Sequence, residues 1–226
     1  MKVILFGATG MVGRGVLLEC LDEPRITQVV AVGRSSCGVT HPKLREILHQ
    51  DFLDYSSIQR EFADAGACLF CLGVSSAGMD EARYRHLTYD LAVAAAKAIL
   101  AASPQAAFCF ISGQGADSTE RGRIMWARVK GATENALLAM PFRGAYMFRP
   151  GMIVPMRGVR SRTALYRVFY DILRPLSPVF RRFAPGFVTT SVNVGRAMIE
   201  AAVNGSDQRI LGNVEIDRLA ARRPTS

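Results

Sequence analysis

The chemistry in this chain is carried first by three glycines, in Gly7-Ala8-Thr9-Gly10-Met11-Val12-Gly13. They follow the apolar run Lys2-Val3-Ile4-Leu5-Phe6 and precede a segment in which Val12, Val16 and Leu17 can share one helix face. At a strand-to-helix turn of this kind, glycines let the backbone approach a pyrophosphate, which then meets the free N–H groups and the positive end of the helix dipole. Gly13 allows the helix to lie close to the sheet. The plain alternative is a tight turn that binds nothing.

The second apolar run ends in Val32-Gly33-Arg34-Ser35-Ser36, where an NAD-selective fold places an acid to hold the ribose 2′-hydroxyl. No acid stands there. The guanidinium of Arg34 suits a 2′-phosphate, with Ser35 and Ser36 as hydroxyl donors, so NADP is favoured over NAD. A solvated arginine stacked on adenine is the other reading. Asp51-Phe52 follows the third run, where a carboxylate can accept from the adenine amino group or simply organise a turn. Leu72-Gly73 closes the fourth, and its glycine either lets backbone lie on a cofactor ribose or marks a turn.

The elements that must position these residues follow from the apolar pattern. Strands are predicted at 2–6, 27–32, 44–49, 67–72, 107–111 and 144–149, and helices at about 11–22, 56–64, 80–102 and 124–139. Ser56 and Asp80 stand as starting caps, and Pro24, Pro104 and Pro141 as stops. This alternation predicts a doubly wound parallel sheet, a Rossmann-like α/β fold. Beyond Pro150 the prolines at 150, 155, 175, 178 and 185 break the pattern into a short amphipathic helix, about 162–173, and irregular pieces. Residues 151–190 therefore read as a lid within a single domain spanning 1–226. A helix at about 191–203, capped by Ser191 and stopped by Asn204-Gly205, and a strand at 209–216 return to the sheet.

At 226 residues, half of them apolar, the chain has room for one large domain and does not read as disordered, collagenous or disulfide-knotted. Its most apolar stretch, Leu91 to Ala102, is short of the roughly 20 residues a bilayer span requires. The N-terminus runs into the glycine turn with no cleavage site, and the five cysteines form no disulfide framework, so a cytoplasmic protein is expected. Cys68-Leu69-Phe70-Cys71 has CxxC spacing, but strand residues three apart point to opposite faces, which makes core packing the better reading.

The net charge of +9 is concentrated in Arg157, Arg160, Arg162, Arg167, Arg174, Arg181 and Arg182, against Asp171 alone in that stretch. An acidic substrate or an anionic membrane surface could meet them. Nucleic acid is the least favoured partner, because no nucleic-acid-binding signature is present. The plain reading is a helix that packs its apolar face and solvates its arginines. A homo-oligomer is compatible with the sequence.

Together with Phe110-Ile111-Ser112-Gly113-Gln114-Gly115, Lys130-Gly131-Ala132 and Phe148-Arg149-Pro150-Gly151, these motifs resemble the short-chain dehydrogenase/reductase superfamily, in particular its atypical branch with Tat-interacting oxidoreductase-like and bacterial epimerase-like proteins. The resemblance covers about residues 2–155 well and implies a nicotinamide dinucleotide cofactor and an unknown small-molecule substrate. It also implies a Ser-Tyr-Lys set. The serine falls on Ser112, the lysine on Lys130, and the backbone beside the nicotinamide on Pro150 and Gly151. At the tyrosine's place, four residues before Lys130, stands Trp126. An indole N–H donates a hydrogen bond but cannot exchange a proton at accessible pH. Tyr84, Tyr89, Tyr146 and His86 could relay a proton, though each reads more simply as a packed or surface residue. The expected function is an NADP-dependent oxidoreductase acting on a small carbonyl or hydroxyl compound. The alternative is a catalytically impaired NADPH-binding protein that signals through its basic lid.

Overall fold

Strand β1 (Lys2–Phe6) has Val3, Ile4, Leu5 and Phe6 all fully buried, as a strand covered on both faces must. In this computed structural model, which describes residues 1–158 and 186–222, it lies inside a seven-stranded sheet, third from one edge. The other members are β2 (Gln28–Gly33), β3 (Leu44–Leu48), β4 (Ala65–Phe70), β5 (Ala107–Ile111), β6 (Gly144–Phe148) and, after β7 (Met152–Val154) and β8 (Val188–Thr190), β9 (Ile210–Leu211). The order is β3-β2-β1-β4-β5-β6-β9, parallel throughout. The expected doubly wound, Rossmann-like sheet is present, and its strand order reverses beside β1.

The period-two alternation of β1 divides the interior into two cores. On one face Val3 and Leu5 pack with Val16 and Leu17 of α1 (Met11–Asp22) and with Val194 and Met198 of α5 (Ser191–Asn204). On the other, Ile4 and Phe6 meet Phe62, Phe108 and the alanine face of α3 (Leu91–Ala102). Cys68 lies in the second core and Cys71 in the first, so the CxxC pair is divided by the sheet as its strand period predicts. Between these elements come α2 (Glu81–Arg85) and α4 (Met125–Leu138), and α6 (Asn213–Ala220) ends the described chain.

Several expectations need correction. The helix expected at 56–64 is a 3₁₀ turn, Ser56–Phe62, and Ser56 does not cap it: its N–H donates to Asp54 Oδ1 at 2.8 Å. The segment 80–102 begins as expected, with Asp80 accepting from the Arg83 N–H, but a π turn over His86–Asp90 separates α2 from α3. Thr190, rather than Ser191, caps α5 by accepting from Asn193 N at 3.0 Å. The strand expected at 209–216 is only Ile210–Leu211. Gly212 ends it, Glu215 accepts from the Gly212 N–H at 3.0 Å, and Ile216 and Leu219 then follow helical spacing into the core. Within 151–190, β7 and β8 pair in parallel as a small second sheet that apolar periodicity did not reveal in such short strands. The amphipathic helix expected at 162–173 and the arginines from 160 to 182 lie outside the described residues. Arg157 is described, and it pairs with Glu19 at 2.9 Å and Asp22 at 2.7 Å on α1.

The seat of α4 is fixed by Gly131, where a Cβ would lie 1.8 Å from the Asp117 carbonyl oxygen. Gly131→Ala should therefore cost about 1–3 kcal/mol in chemical denaturation. Gly73→Ala, with open space around the added carbon, should stay within about 0.5 kcal/mol.

Candidate functional site

The glycine turn joins β1 to α1 in a space that excludes side chains. Gly7 has φ +82°, and a Cβ there would lie 2.7 Å from the Cys71 carbonyl. At Gly13 a Cβ would lie 2.1 Å from the Gly7 oxygen, so α1 crosses the turn closely only because that atom is missing. Gly10 donates its N–H to Gly7 O at 2.9 Å and serves as the N-cap of α1. It contributes no side-chain cap, and the first turn contains no acid. The first-turn N–H groups are thus left to an external acceptor, with the helix dipole favouring an anion.

A cleft opens beside this turn at the C-terminal ends of β1, β2 and β3, and Gly7, Ala8, Thr9, Arg34, Ser35, Phe52 and Leu72 all line it. Met11 and Val12 begin α1 and are half-buried. Phe52 is held edge-on to Phe6, with ring centroids 6.2 Å apart. Asp51 does not line the cleft, and its Oδ1 accepts from Leu53 N at 2.9 Å and Asp54 N at 3.3 Å, a turn geometry. Gly73 is exposed.

The sequence reading passed over two charged residues here, Glu46, which lines the cleft, and Arg14, which bonds to the loop at its edge. Arg14, on the first turns of α1, donates from its guanidinium to the Cys37 carbonyl. Glu46 of β3 lies in register with Ala31 of β2 and accepts from Ser36 Oγ at 2.8 Å and from Cys37 N at 2.6 Å. Burial pushes its carboxyl up, but the hydrogen bonds from Cys37 and Ser36 and the nearby Arg14 outweigh that and hold it below the ordinary carboxylate range. The available signals were the arginine next to Gly13 and the charged Arg45-Glu46 pair in the middle of a strand.

A second group gathers around the loop after β5. Ser112 is 6 % exposed, and among the described residues its Oγ has no hydrogen-bond partner. Lys130 is half-buried on α4, its Nζ donating to Ile111 O at 3.3 Å and lying 5.4 Å from the Phe110 ring centroid. Burial pushes the Lys130 ammonium down to about 8, against an opposing pull from Glu134. A Cβ on Gly113 would be 4.0 Å from both the Lys130 stem and the Trp126 ring, and one on Gly115 would be 3.3 Å from that ring. The indole therefore covers this loop one helical turn before the lysine.

Pro150 and Gly151 are tied to the same loop. Gln114 N donates to Pro150 O at 2.9 Å, while Gly151 N donates to Asn213 Oδ1 at 3.1 Å. Arg149, just before them, pairs with the fully buried Glu134 of α4 and donates to Ser118 Oγ at 2.6 Å. Of the other proton-relay candidates, Tyr89, His86 and Tyr146 have contacts of their own. Tyr84 is buried, Tyr89 lies under the Arg85 guanidinium at 4.0 Å, His86 meets Asp90 at 3.2 Å, and Tyr146 accepts from Ser206 N at 3.3 Å.

No family model matches the chain. It is similar to the protein fmp52, mitochondrial, of Emericella nidulans, at 28 % identity over 90 % of this chain and 89 % of that protein. It is also similar to protein HTATIP2 of Rattus norvegicus, at 27 % identity over 92 % and 84 %. Among solved structures it is similar to a UDP-N-acetylglucosamine 4-epimerase of Methanobrevibacter ruminantium, with a TM-score of 0.68 and 14 % identity over 93 % of this chain and 74 % of that one. Bordetella bronchiseptica WbmH, solved with NAD+, gives a TM-score of 0.63 and 16 % identity over 92 % and 73 %. The likeness in sequence is to these fmp52 and HTATIP2 proteins, and the likeness in fold is to solved NAD-binding dehydrogenase and epimerase structures. The cytoplasmic expectation does not stand, because fmp52 proteins of several fungi carry the label mitochondrial. The five free cysteines behind that expectation do not identify a compartment.

The depressed Lys130 couples stability to pH. Below about 8 the ammonium is charged in both states and burial penalises the folded one; between there and its ordinary value of 10.5 the unfolded chain binds more protons, so stability rises with pH. In denaturant titrations from pH 7.5 to 10.5, Lys130→Met should remove about 2–3 kcal/mol of that rise relative to the parent chain.

Proposed function

We propose that the chain binds a nicotinamide dinucleotide, NADP in preference to NAD, and acts as an oxidoreductase on a small carbonyl or hydroxyl compound. The observation carrying this reading is the uncapped first turn of α1 above a side-chain-free glycine crossing, continuous with a cleft that holds Arg34. The residues present fit the dinucleotide. The amides of the α1 turn would take the diphosphate, Arg34 and Ser35 the 2′-phosphate, and Phe52 and Leu72 would flank the adenosine end. Lys130 and Ser112, with the backbone at Pro150-Gly151, would serve the nicotinamide end, and the span 151–190 would belong to the substrate region of one nucleotide-binding domain. When bound, the nicotinamide supplies or accepts hydride. In this chain Ser112 Oγ would donate to the reacting oxygen, and Lys130 would hold the ribose and place positive charge beside the developing oxyanion.

Trp126 supports a second reading. With an indole over the Gly113–Gly115 loop one turn before Lys130, no phenol occupies the position from which the superfamily's tyrosine exchanges its proton. The chain would then bind NADPH and report it to a partner without efficient turnover.

Calorimetric titration with NADPH and NADH should show a preference for NADPH of about 1–3 kcal/mol, the scale of charge-assisted hydrogen bonds, and Arg34→Ala should shrink it. Binding of neither nucleotide at millimolar concentration by a folded sample would end both readings. Trp126 is the sole tryptophan, so NADPH should quench or shift its emission. Against a panel of aldehydes and ketones, turnover lost in Lys130→Ala supports the enzyme. NADPH binding without turnover, unchanged in Trp126→Tyr, supports the binding protein.

A further inference from the structure

The loop after β2 already holds an anion of the chain's own. Glu46 reaches from the neighbouring strand into the cleft lined by Arg34 and Ser35, and its two carboxylate oxygens accept from Ser36 Oγ at 2.8 Å and Cys37 N at 2.6 Å. Arg14 is fixed to the same loop through the Cys37 carbonyl. Ala31 beside Glu46 contributes only a methyl group, and the glutamate thus shares the sheet face on which α1 and Arg14 lie. A hydroxyl, a backbone amide and a guanidinium converging on one loop are the donors a phosphate ester takes. Here a carboxylate has the first two, while the guanidinium holds the Cys37 carbonyl.

We propose that Glu46 is the specificity-determining residue at the 2′ end of the cleft, an acid supplied from β3 in place of the one missing at the end of β2. The proposal rests on reading the cleft as a dinucleotide site. A 2′-phosphate entering beside Arg34 must displace the carboxylate from Ser36 and Cys37 or lie against it as a like charge. A 2′-hydroxyl can donate to it. Arg34 and Glu46 then pull in opposite directions, and the nucleotide preference of the protein is their difference. With the carboxyl held below its ordinary range, this opposition persists across neutral pH.

The test is calorimetry on the full chain, parent and variants, with NADP+, NAD+, 2′,5′-ADP and 5′-AMP as probes, so that no turnover is needed. Glu46→Gln keeps an oxygen acceptor for the Cys37 N–H while removing the charge. It should tighten NADP+ and 2′,5′-ADP by about tenfold at low salt, less at high salt, and leave NAD+ and 5′-AMP unchanged or weaker. Glu46→Ala separates charge from loop support. If Glu46 only props the loop, Glu46→Ala weakens all four probes alike and Glu46→Gln changes none, which overturns the proposal. A Glu46→Gln chain whose NADP+ to NAD+ ratio equals the parent's also overturns it, while leaving the dinucleotide reading intact. If the folded parent binds none of the probes, the dinucleotide reading has failed and this inference falls with it.

Discussion

Everything at the functional end of the sheet depends on one close approach, the crossing of α1 over the Gly7 carbonyl. A Cβ at Gly13 would stand 2.1 Å from that oxygen, so any other residue would lift the helix off the turn. Lifting it would separate the first-turn amides from the mouth of the cleft and move Val16 and Leu17 out of the core they share with Val3 and Leu5. Packing and anion affinity therefore have the same cause. The helix lies where its apolar face needs it only if its N-terminus also lies where a diphosphate can reach it. Gly7 supplies the other half, since its positive φ turns the chain from strand to helix within contact of the Cys71 backbone just past β4.

The other half of the site is held by a charge. Arg149, at the end of β6, pairs with Glu134, which is fully buried on α4, and extends to Ser118 in the loop below. An ion pair this deep adds little net stability, because desolvation of both groups offsets their attraction, but it fixes geometry. It locks the rotation of α4 against β6. Gly131 sets the helix's distance from the Asp117 loop, and Asp117 N donates to Ala127 O at 2.9 Å. With rotation and distance both fixed, Trp126 and Lys130 can only face the Gly113–Gly115 loop.

The sheet, the glycine turn and the divided CxxC pair were legible in the sequence because each follows from a local period or from a residue type with few uses. Buried parallel strands are continuous apolar runs, and only glycine fits the crossing. The departures share a different cause. The 3₁₀ turn at Ser56–Phe62, the π turn at His86–Asp90 and the short β9 all depend on what the chain packs against, and each lies within a window whose apolar spacing suits an ordinary helix or strand. Arg14 and Glu46 were missed because they come from different elements and meet only through the Cys37 backbone. Sequence spacing carries no trace of such a meeting.

Ser112, Trp126 and Lys130 show how a site can keep its architecture while its chemistry is put in question. The seryl oxygen is buried without a partner among the described residues, and the lysine is desolvated enough to bring its proton toward neutral pH. Both conditions are costly, and a chain gains nothing from them in folding alone. Trp126 sets its ring against the Gly113–Gly115 loop and can donate at most one hydrogen bond. If hydride transfer occurs here, the indole cannot exchange the proton and the reacting oxygen must take it from another group; Tyr89, His86 and Tyr146 already meet Arg85, Asp90 and Ser206.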